Sequence, residues 1–476
     1  MITLSPIDIA LIAAYFVSVL VIGFLSAKKG SDSAEFLLAG RSLTLPIFVM
    51  TLVSTWYGGI LGVGEFSYLY GISNWIVQGV PYYIFAVVFA LFLARKVRAA
   101  NHLTIPDKLH EAYGVKTSLL GAVLVFILMT PAPYMLMLAV LLQLVTGWSL
   151  ALCLLIGTVA TTVYLFVGGF RSDVNTDVFE FVLMFAGFAV ILPFAFEKFG
   201  GVEFIRQNVP PPHLTWNGGN SIQFVIVWFF IALWTLVDPA FHQRCSAAKS
   251  GAVAQRGILI SIVFWFFFDA MTATAGLYAR AALPSLQQPI MAYPLLAELT
   301  LPPIAKGLFY IGMLATIMST LNSLLFISAT TFGRDVVWRL RRSADDASVK
   351  RYTKLGLAVT GILSIGLSLL IPSVIKLWYT IGTIVIPGLL VPLLASYSRR
   401  FTMSPQIAFA AMLGGWLAST GWLIVGWRTG MSTPSYPLGI EPMYPGLMVA
   451  LLCWMFGMAA KPEAWIWSKY REDGRS

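Results

Sequence analysis

Five carboxylates stand inside runs of apolar residues: Glu65, Asp177, Glu180, Asp238 and Asp269. A charge at the centre of a bilayer costs at least about 2.5 kcal/mol on insertion scales, so an acid kept at that depth reads first as a site for a cation or a proton. Position alone also allows structural roles. Asp177 and Glu180 lie near the start of an apolar run, where an acid favours the helix dipole, and Glu65 and Asp269 can lie near an interface. Asp238 sits in "WTLVDPAFHQR", residues 234–244, beside Pro239. Proline has no amide hydrogen, so it either kinks the helix or breaks it, freeing a carbonyl about one turn earlier next to an acid and the Trp234 indole.

Hydroxyls form a second group, in "LATIMSTLNSLLFISATTFGRDV", residues 314–336. Ser319, Asn322, Ser323 and Thr330 share one helical face, and Thr316, Thr320 and Thr331 lie near it. Such hydroxyls commonly bond the carbonyl one turn earlier or act as helix-packing contacts. The alternative is a hard cation that takes several oxygens. Adjacent hydroxyls facing carbonyls freed in a broken helix would supply them without negative charge. "VSTWYGGILGVGEFS", residues 53–67, is a candidate for that break, with Gly58 and Gly59 permitting it. Irregular backbone at membrane depth is tolerated only against protein or a water-filled cavity.

The elements that hold these residues follow from composition. The chain has 476 residues, 58% hydrophobic and 11% charged, which is the make-up of a polytopic membrane protein. Apolar runs near the ~20 residues needed to cross a bilayer recur along its whole length and leave no room for a soluble domain. Thirteen spans are expected, at about 7–27, 44–68, 73–95, 116–145, 148–167, 176–197, 221–244, 256–283, 303–333, 352–372, 374–398, 405–428 and 441–461. The first lacks a basic leader and a cleavage site, so it reads as a retained helix and not a signal peptide.

The formal charge of +10 does not point to nucleic acid, because the basic residues gather in alternate loops. Of 31 Lys and Arg, only Lys198, Arg206, Arg280, Lys306, Lys376 and Arg428 fall on the other side. The positive-inside rule then places the N-terminus outside and the C-terminus in the cytoplasm, in the cell membrane. Cys153, Cys245 and Cys453 suggest no disulfide framework. His102, His110, His213 and His242 form no metal or acyl-transfer motif, which argues against an enzyme.

The two interruptions, near Gly58 and Pro239, lie five spans apart. Many secondary transporters consist of inverted repeats that each open with a broken helix, with the site at midplane between the breaks. The expected layout is a first helix and cytoplasmic loop at 1–43, repeat one (helices 2–6) at 44–200, repeat two (helices 7–11) at 201–398, and helices 12 and 13 with a short cytoplasmic tail at 399–476.

The chain resembles the sodium:solute symporter family over nearly its whole length. The likeness lies in "SAEFLLAGRSL" (33–43), "FVGGFRSDVNTD" (166–177), "QRCSAAKSGAVAQRG" (243–257) and "MLATIMSTLNSLLFISATTFGRDV" (313–336). The resemblance implies an all-α integral membrane protein with a LeuT-like five-plus-five inverted-repeat core, one extra N-terminal helix and two extra C-terminal helices. It implies a Na+ site made of the Ser319 and Thr320 hydroxyls and the carbonyls of Thr316, Val53 and Trp56, with Asp177 helping sodium leave toward the cytoplasm.

A local likeness to the high-affinity choline transporter branch lies in "TWYGG" (55–59), "YGI" (70–72) and "LWY" (377–379). It implies an aromatic cage that includes Trp56 and Tyr82, which suits a quaternary ammonium because ring faces attract cations. Asn74 stands where sugar carriers have a glutamate, and Thr55 where proline carriers have an aspartate. Asp238 stands where the cage has a tryptophan, which favours a cation able to donate hydrogen bonds.

The expected substrate-binding set is therefore Thr55, Trp56, Tyr57, Gly58, Tyr82, Trp234 and Asp238. The expected function is sodium-coupled symport of a small polar organic solute, an amine-containing cation or zwitterion, by alternating access. Sodium, the solute and the lipid bilayer are the expected partners, with no nucleic acid and no obligate protein partner. Alternatives are a proton-coupled carrier of the same fold, in which Asp177 and Asp238 relay protons, and a transporter-like sensor. The tail "KPEAWIWSKYREDGRS" holds no signalling domain, so a sensor would need a separate one. Amino acids, carboxylates and sugars are the alternative substrates.

Overall fold

The computed structural model describes residues 2–26, 33–341, 346–371, 373–429 and 436–459. Lys28 and Lys29, part of "RDVVWRLRRSADDASVKRYTK" and the tail "KPEAWIWSKYREDGRS" lie outside the described residues. Among the described residues the one strand-like feature is a parallel bridge between Leu43 and Ala248; the rest is helix and connecting turn. Ten helices are long and apolar enough to cross a membrane, or eleven if a bent pair counts as one span. Leu150–Val163 and Met443–Ala459 are shorter apolar helices. Length and composition thus support ten or eleven crossings, and thirteen stays an expectation.

The helices used below are α1 (Pro6–Leu25), α2 (Leu45–Trp56), α3 (Ile60–Tyr70), α4 (Val80–Phe92), α5 (Val115–Leu128), α6 (Ala132–Thr146), α7 (Leu150–Phe199), α8 (Ile222–Ile231), α9 (Pro239–Ala247), α10 (Gly251–Ala282), α11 (Ala305–Thr330), α12 (Asp346–Leu370), α13 (Val374–Ser396), α14 (Pro405–Thr429) and α15 (Met443–Ala459). They belong to two compact units, residues 1–103 with 129–379, and residues 104–128 with 380–476.

In the first unit α11 is buried along nearly its whole length, including its hydroxyl face. Its most extensive partner is α7. The two come together at Gly187 and Gly312, where a Cβ on Gly187 would stand 2.7 Å from the Gly312 Cα. Small residues let helix backbones approach closely, which is how membrane helices gain packing contacts when lipid is as apolar as their side chains. Asp8 ties α1 to α11, since it closes the α1 capping box with Ser5 and accepts the amides of Ile304 at 2.8 Å and Gly307 at 2.9 Å. Val17 on α1, Phe267 on α10 and Ile362 on α12 point outward, as lipid-facing side chains do.

Two interruptions shape this unit. α2 and α3 are bent by 57° across Tyr57, Gly58 and Gly59. Close approach is what demands the glycines: a Cβ on Gly58 would stand 1.9 Å from Thr320 Oγ1, and one on Gly59 2.1 Å from the Trp378 ring. The second interruption is at Asp238, whose ψ of 117° is extended, between the single turn Trp234–Val237 and α9. Asp238 caps α9 by accepting the Phe241 amide at 2.9 Å, and Pro239 occupies the first helical position, where its missing N–H costs nothing.

α7 runs across the expected loop between spans five and six with a sharp kink at Gly169 (φ 58°), where Phe36 packs against the glycine. Arg171 there pairs with Glu35 and donates to the Ala39 carbonyl at 2.9 Å, fixing the "SAEFLLAG" segment beside the kink. In the second unit the helix Ile105–Tyr113 packs on α5, and α14 pairs with α15. The Tyr113 hydroxyl donates to the Pro392 carbonyl of α13 at 3.1 Å.

Candidate functional site

The polar residues of α2, α7 and α11 converge on one buried network. Asp173 and Asp177 lie four residues apart on α7, and Ser319 and Ser323 have the same spacing on α11, so the two rows meet in register. Ser323 donates to Asp173 at 2.6 Å and Ser319 to Asp177 at 2.6 Å. From α2, the hydroxyl of Thr51 donates to Asp177, and that of Thr55 reaches it at 3.2 Å. Thr320 Oγ1 donates to the Thr55 carbonyl at 2.5 Å and lies 3.4 Å from that of Ser54, at the end of the broken helix. Oxygens from three helices therefore meet in one buried network, and several convergent oxygens are the ligand type a hard cation takes.

Arg244 of α9 enters this network. Arg244 is not among the six basic residues assigned to the outer side, so the charge pattern places it in a cytoplasmic loop; the structure instead buries it completely. Its Nη2 lies 2.5 Å from Thr55 Oγ1, 2.7 Å from Ser323 Oγ, 3.0 Å from Asp177 and 3.4 Å from Asp173. Nε donates to Thr51 at 3.2 Å, and the guanidinium packs over the Phe170 ring. The physical reason is compensation: two carboxylates closed off from water hold the cation that the hydropathy pattern assigns to solvent. One turn on from Asp177, Glu180 accepts the Tyr15 hydroxyl at 2.8 Å.

Beside this network the first unit holds an open-sided cavity of about 130 Å³. Its walls are largely aromatic: the Trp56 ring lies 5.6 Å from Tyr82 and 6.2 Å from Trp265, which line it too, and packs on Phe241 at 4.8 Å. Trp234 and Asp238 line it together, with the indole donating to the carboxylate at 3.1 Å. Asp269 of α10 lines it too. No Lys, Arg or His is among the lining residues.

The structure brings most of the sequence-selected residues to this region. Thr55, Trp56, Tyr57, Tyr82, Trp234, Asp238 and Thr320 line the cavity. Ser319 and Asp177 lie in the adjoining network. Gly58 does not line the cavity but abuts Thr320. Thr316 is buried with its hydroxyl on the Gly312 carbonyl at 2.6 Å, and the Val53 carbonyl is approached by Trp265 Nε1 at 3.4 Å. The expected site left out Arg244 and Asp173, and also Asp269, which stood only among the five intramembrane acids. Asp173 had a readable signal, its i, i+4 relation to Asp177; Arg244 had none, because its acids are 67 and 71 residues away.

The comparisons with known proteins bear on the family and the fold. A sequence profile of the sodium:solute symporter family matches residues 36–415. The sodium/pantothenate symporter of Escherichia coli is 26% identical over 475 residues, covering 94% of this chain and 95% of that protein. The human high affinity choline transporter 1 is 24% identical over 401 residues, covering 77% of this chain and 68% of that protein. Among solved structures, a Na+-coupled sialic acid symporter in a substrate-bound outward-open state superposes with a TM-score of 0.76, over 96% of this chain and 97% of that one. At 17% identity the last likeness shows the fold alone. With its apolar helices and this match over most of its length, the chain is a multi-pass membrane transporter and belongs to the sodium:solute symporter family.

Proposed function

We propose that the protein is a sodium-coupled symporter that imports a small amine-containing solute by alternating access. The observation that supports it most is the meeting of Ser319 and Thr320 with Asp177 and the carbonyl end of α2. Asp173, Asp177 and Arg244 sum to a formal charge of −1, which one monovalent cation brings to zero. The sodium ligands in this reading are the Ser319 and Thr320 hydroxyls and the carbonyls of Val53, Trp56 and Thr316, with Asp177 on the exit side. The solute lies in the aromatic cavity, its cationic nitrogen at Asp238 and against Trp56 and Tyr82.

In the same reading the core is the two inverted repeats 44–200 and 201–398, in a thirteen-span chain with the N-terminus outside. The paired breaks at Gly58 and Asp238 support this layout. Sodium bound between α2 and α11 orders the end of α2 around the solute, and the coupling cannot exceed the difference in sodium affinity between the two states.

A second reading, proton coupling, is favoured by Arg244, a fixed cation already beside Asp177. Uptake of labelled amines into proteoliposomes under separately imposed sodium and pH gradients separates the two. Sodium-driven accumulation without a pH gradient is the expected result; accumulation driven by the pH gradient alone would overturn sodium coupling.

A further inference from the structure

Asp269 is buried and faces the cavity from α10, one turn beyond Trp265. Its Oδ1 accepts the Tyr57 hydroxyl at 2.5 Å and its Oδ2 that of Tyr83, which in turn accepts the Trp75 indole N–H at 3.1 Å. The Tyr57 hydroxyl also meets Thr272 Oγ1 at 2.8 Å. Every one of these partners is neutral. They aim the carboxylate and hold its shape but bring no counter-charge.

Asp238 is in the same position, held by the Trp234 indole and the Phe241 amide. Among the described residues neither acid has an ion pair, and no basic side chain lines the cavity. The cavity is thus an aromatic chamber with two carboxylates and no resident cation. Burying a carboxylate without a counter-charge is expensive, so each acid is neutralised either by a proton or by a cation that arrives with the cargo. A single ammonium at Asp238 would leave Asp269 to be neutralised by a proton, whereas a second ammonium matches it as a carboxylate.

Resting on the reading of this cavity as the substrate site, we infer that it takes a dication: a solute with an ammonium at each end of an apolar spacer, one held by Asp238 and the other by Asp269. The cavity wall suits the spacer, since the Trp56 and Trp265 rings line the same cavity with centroids 6.2 Å apart. Ring faces accept methylenes and attract a cation without needing hydrogen bonds. A substrate carboxylate, in contrast, would meet no basic side chain among the lining residues. This favours diamines over amino acids.

The test uses the full-length protein in lipid nanodiscs with sodium present. The probes are unbranched α,ω-diamines, from ethylene to hexamethylene spacers, and n-alkylamines of matching length, with affinity read by calorimetry. One diamine is expected to bind at least about tenfold tighter than its matching monoamine, the ratio a second charge-assisted hydrogen bond of ~1.4 kcal/mol gives. Asp269→Asn should remove that advantage, and Asp238→Asn should weaken both classes. Asp269→Glu, which keeps the charge on a longer arm, should move the optimum to a shorter spacer. Equal binding of diamines and monoamines, or an unchanged optimum in Asp269→Glu, would overturn the two-pole inference alone. If no amine binds the wild-type protein, or Asp238→Asn changes nothing, the amine reading falls with it.

Discussion

Arg244 Nη2 lies 3.0 Å from Asp177 Oδ2, with both side chains fully closed to solvent. The same nitrogen reaches Thr55 on the broken helix and Ser323 on α11. One guanidinium therefore joins α2, α7 and α11, between which the proposed sodium site lies. It also places a fixed positive charge beside the acid expected to help sodium leave.

Replacing Arg244 by Met leaves Asp173 and Asp177 buried without their cation. Breaking such a pair from one side costs about 3–5 kcal/mol, so the melting temperature of the purified variant should fall well below that of the wild type. Adding Asp173→Asn to Arg244→Met removes one of the stranded charges and should recover part of the loss. Identical melting of all three proteins would show that the ion pair does not hold the fold.

Ser319→Ala and Thr320→Ala each delete one hydroxyl from the oxygen cluster. The sodium concentration for half-maximal uptake should rise by about tenfold, corresponding to ~1.4 kcal/mol per lost ligand. The readout is initial uptake rate against external sodium in proteoliposomes. If neither variant shifts that curve, sodium binds elsewhere.

Gly58→Ala puts a methyl 1.9 Å from Thr320 Oγ1 and 2.1 Å from its Cβ. Overpacking of this kind costs about 1–3 kcal/mol and here also pushes α11 from the end of α2, so both thermal stability and uptake should drop. Gly366 of α12 has nothing within 4 Å of its added Cβ. Gly366→Ala should stabilise by roughly 0.5–1 kcal/mol, because alanine loses less backbone entropy in a helix. Equal melting temperatures for the two variants would refute the close approach at Gly58.

Asp238→Asn retains a good N-cap for α9, so the fold should survive. Amine uptake should nevertheless fall by about tenfold or more, because the neutral amide no longer attracts the cation. Competition assays with a panel of amines report the change, and unaltered inhibition constants would remove Asp238 from the substrate site.

The break at Gly58 and Gly59, the interruption at Pro239 and the hydroxyl face of α11 were all readable along the chain. Each depends on local chemistry: the weak helix propensity of glycine, a missing amide hydrogen, helical periodicity. The apolar runs were readable for the same reason, as hydropathy is a property of neighbours in sequence. The kink at Gly169 was harder, since the run from Leu150 to Phe199 stays helical through a stretch that its polar residues mark as a loop.

By itself, then, the sequence determined a multi-pass helical transporter with two interrupted helices and a row of hydroxyls on one helical face. Only the tertiary structure decided that Arg244 is buried with Asp173 and Asp177, that Gly58 serves Thr320 rather than the cavity, and that Asp269 turns into the aromatic chamber. A buried charge is specified by its partners, and here those partners come from helices tens to hundreds of residues away. Hydropathy assigns an arginine at a helix end to water and an acid near a helix end to an interface. Desolvation reverses both assignments once packing has removed the water.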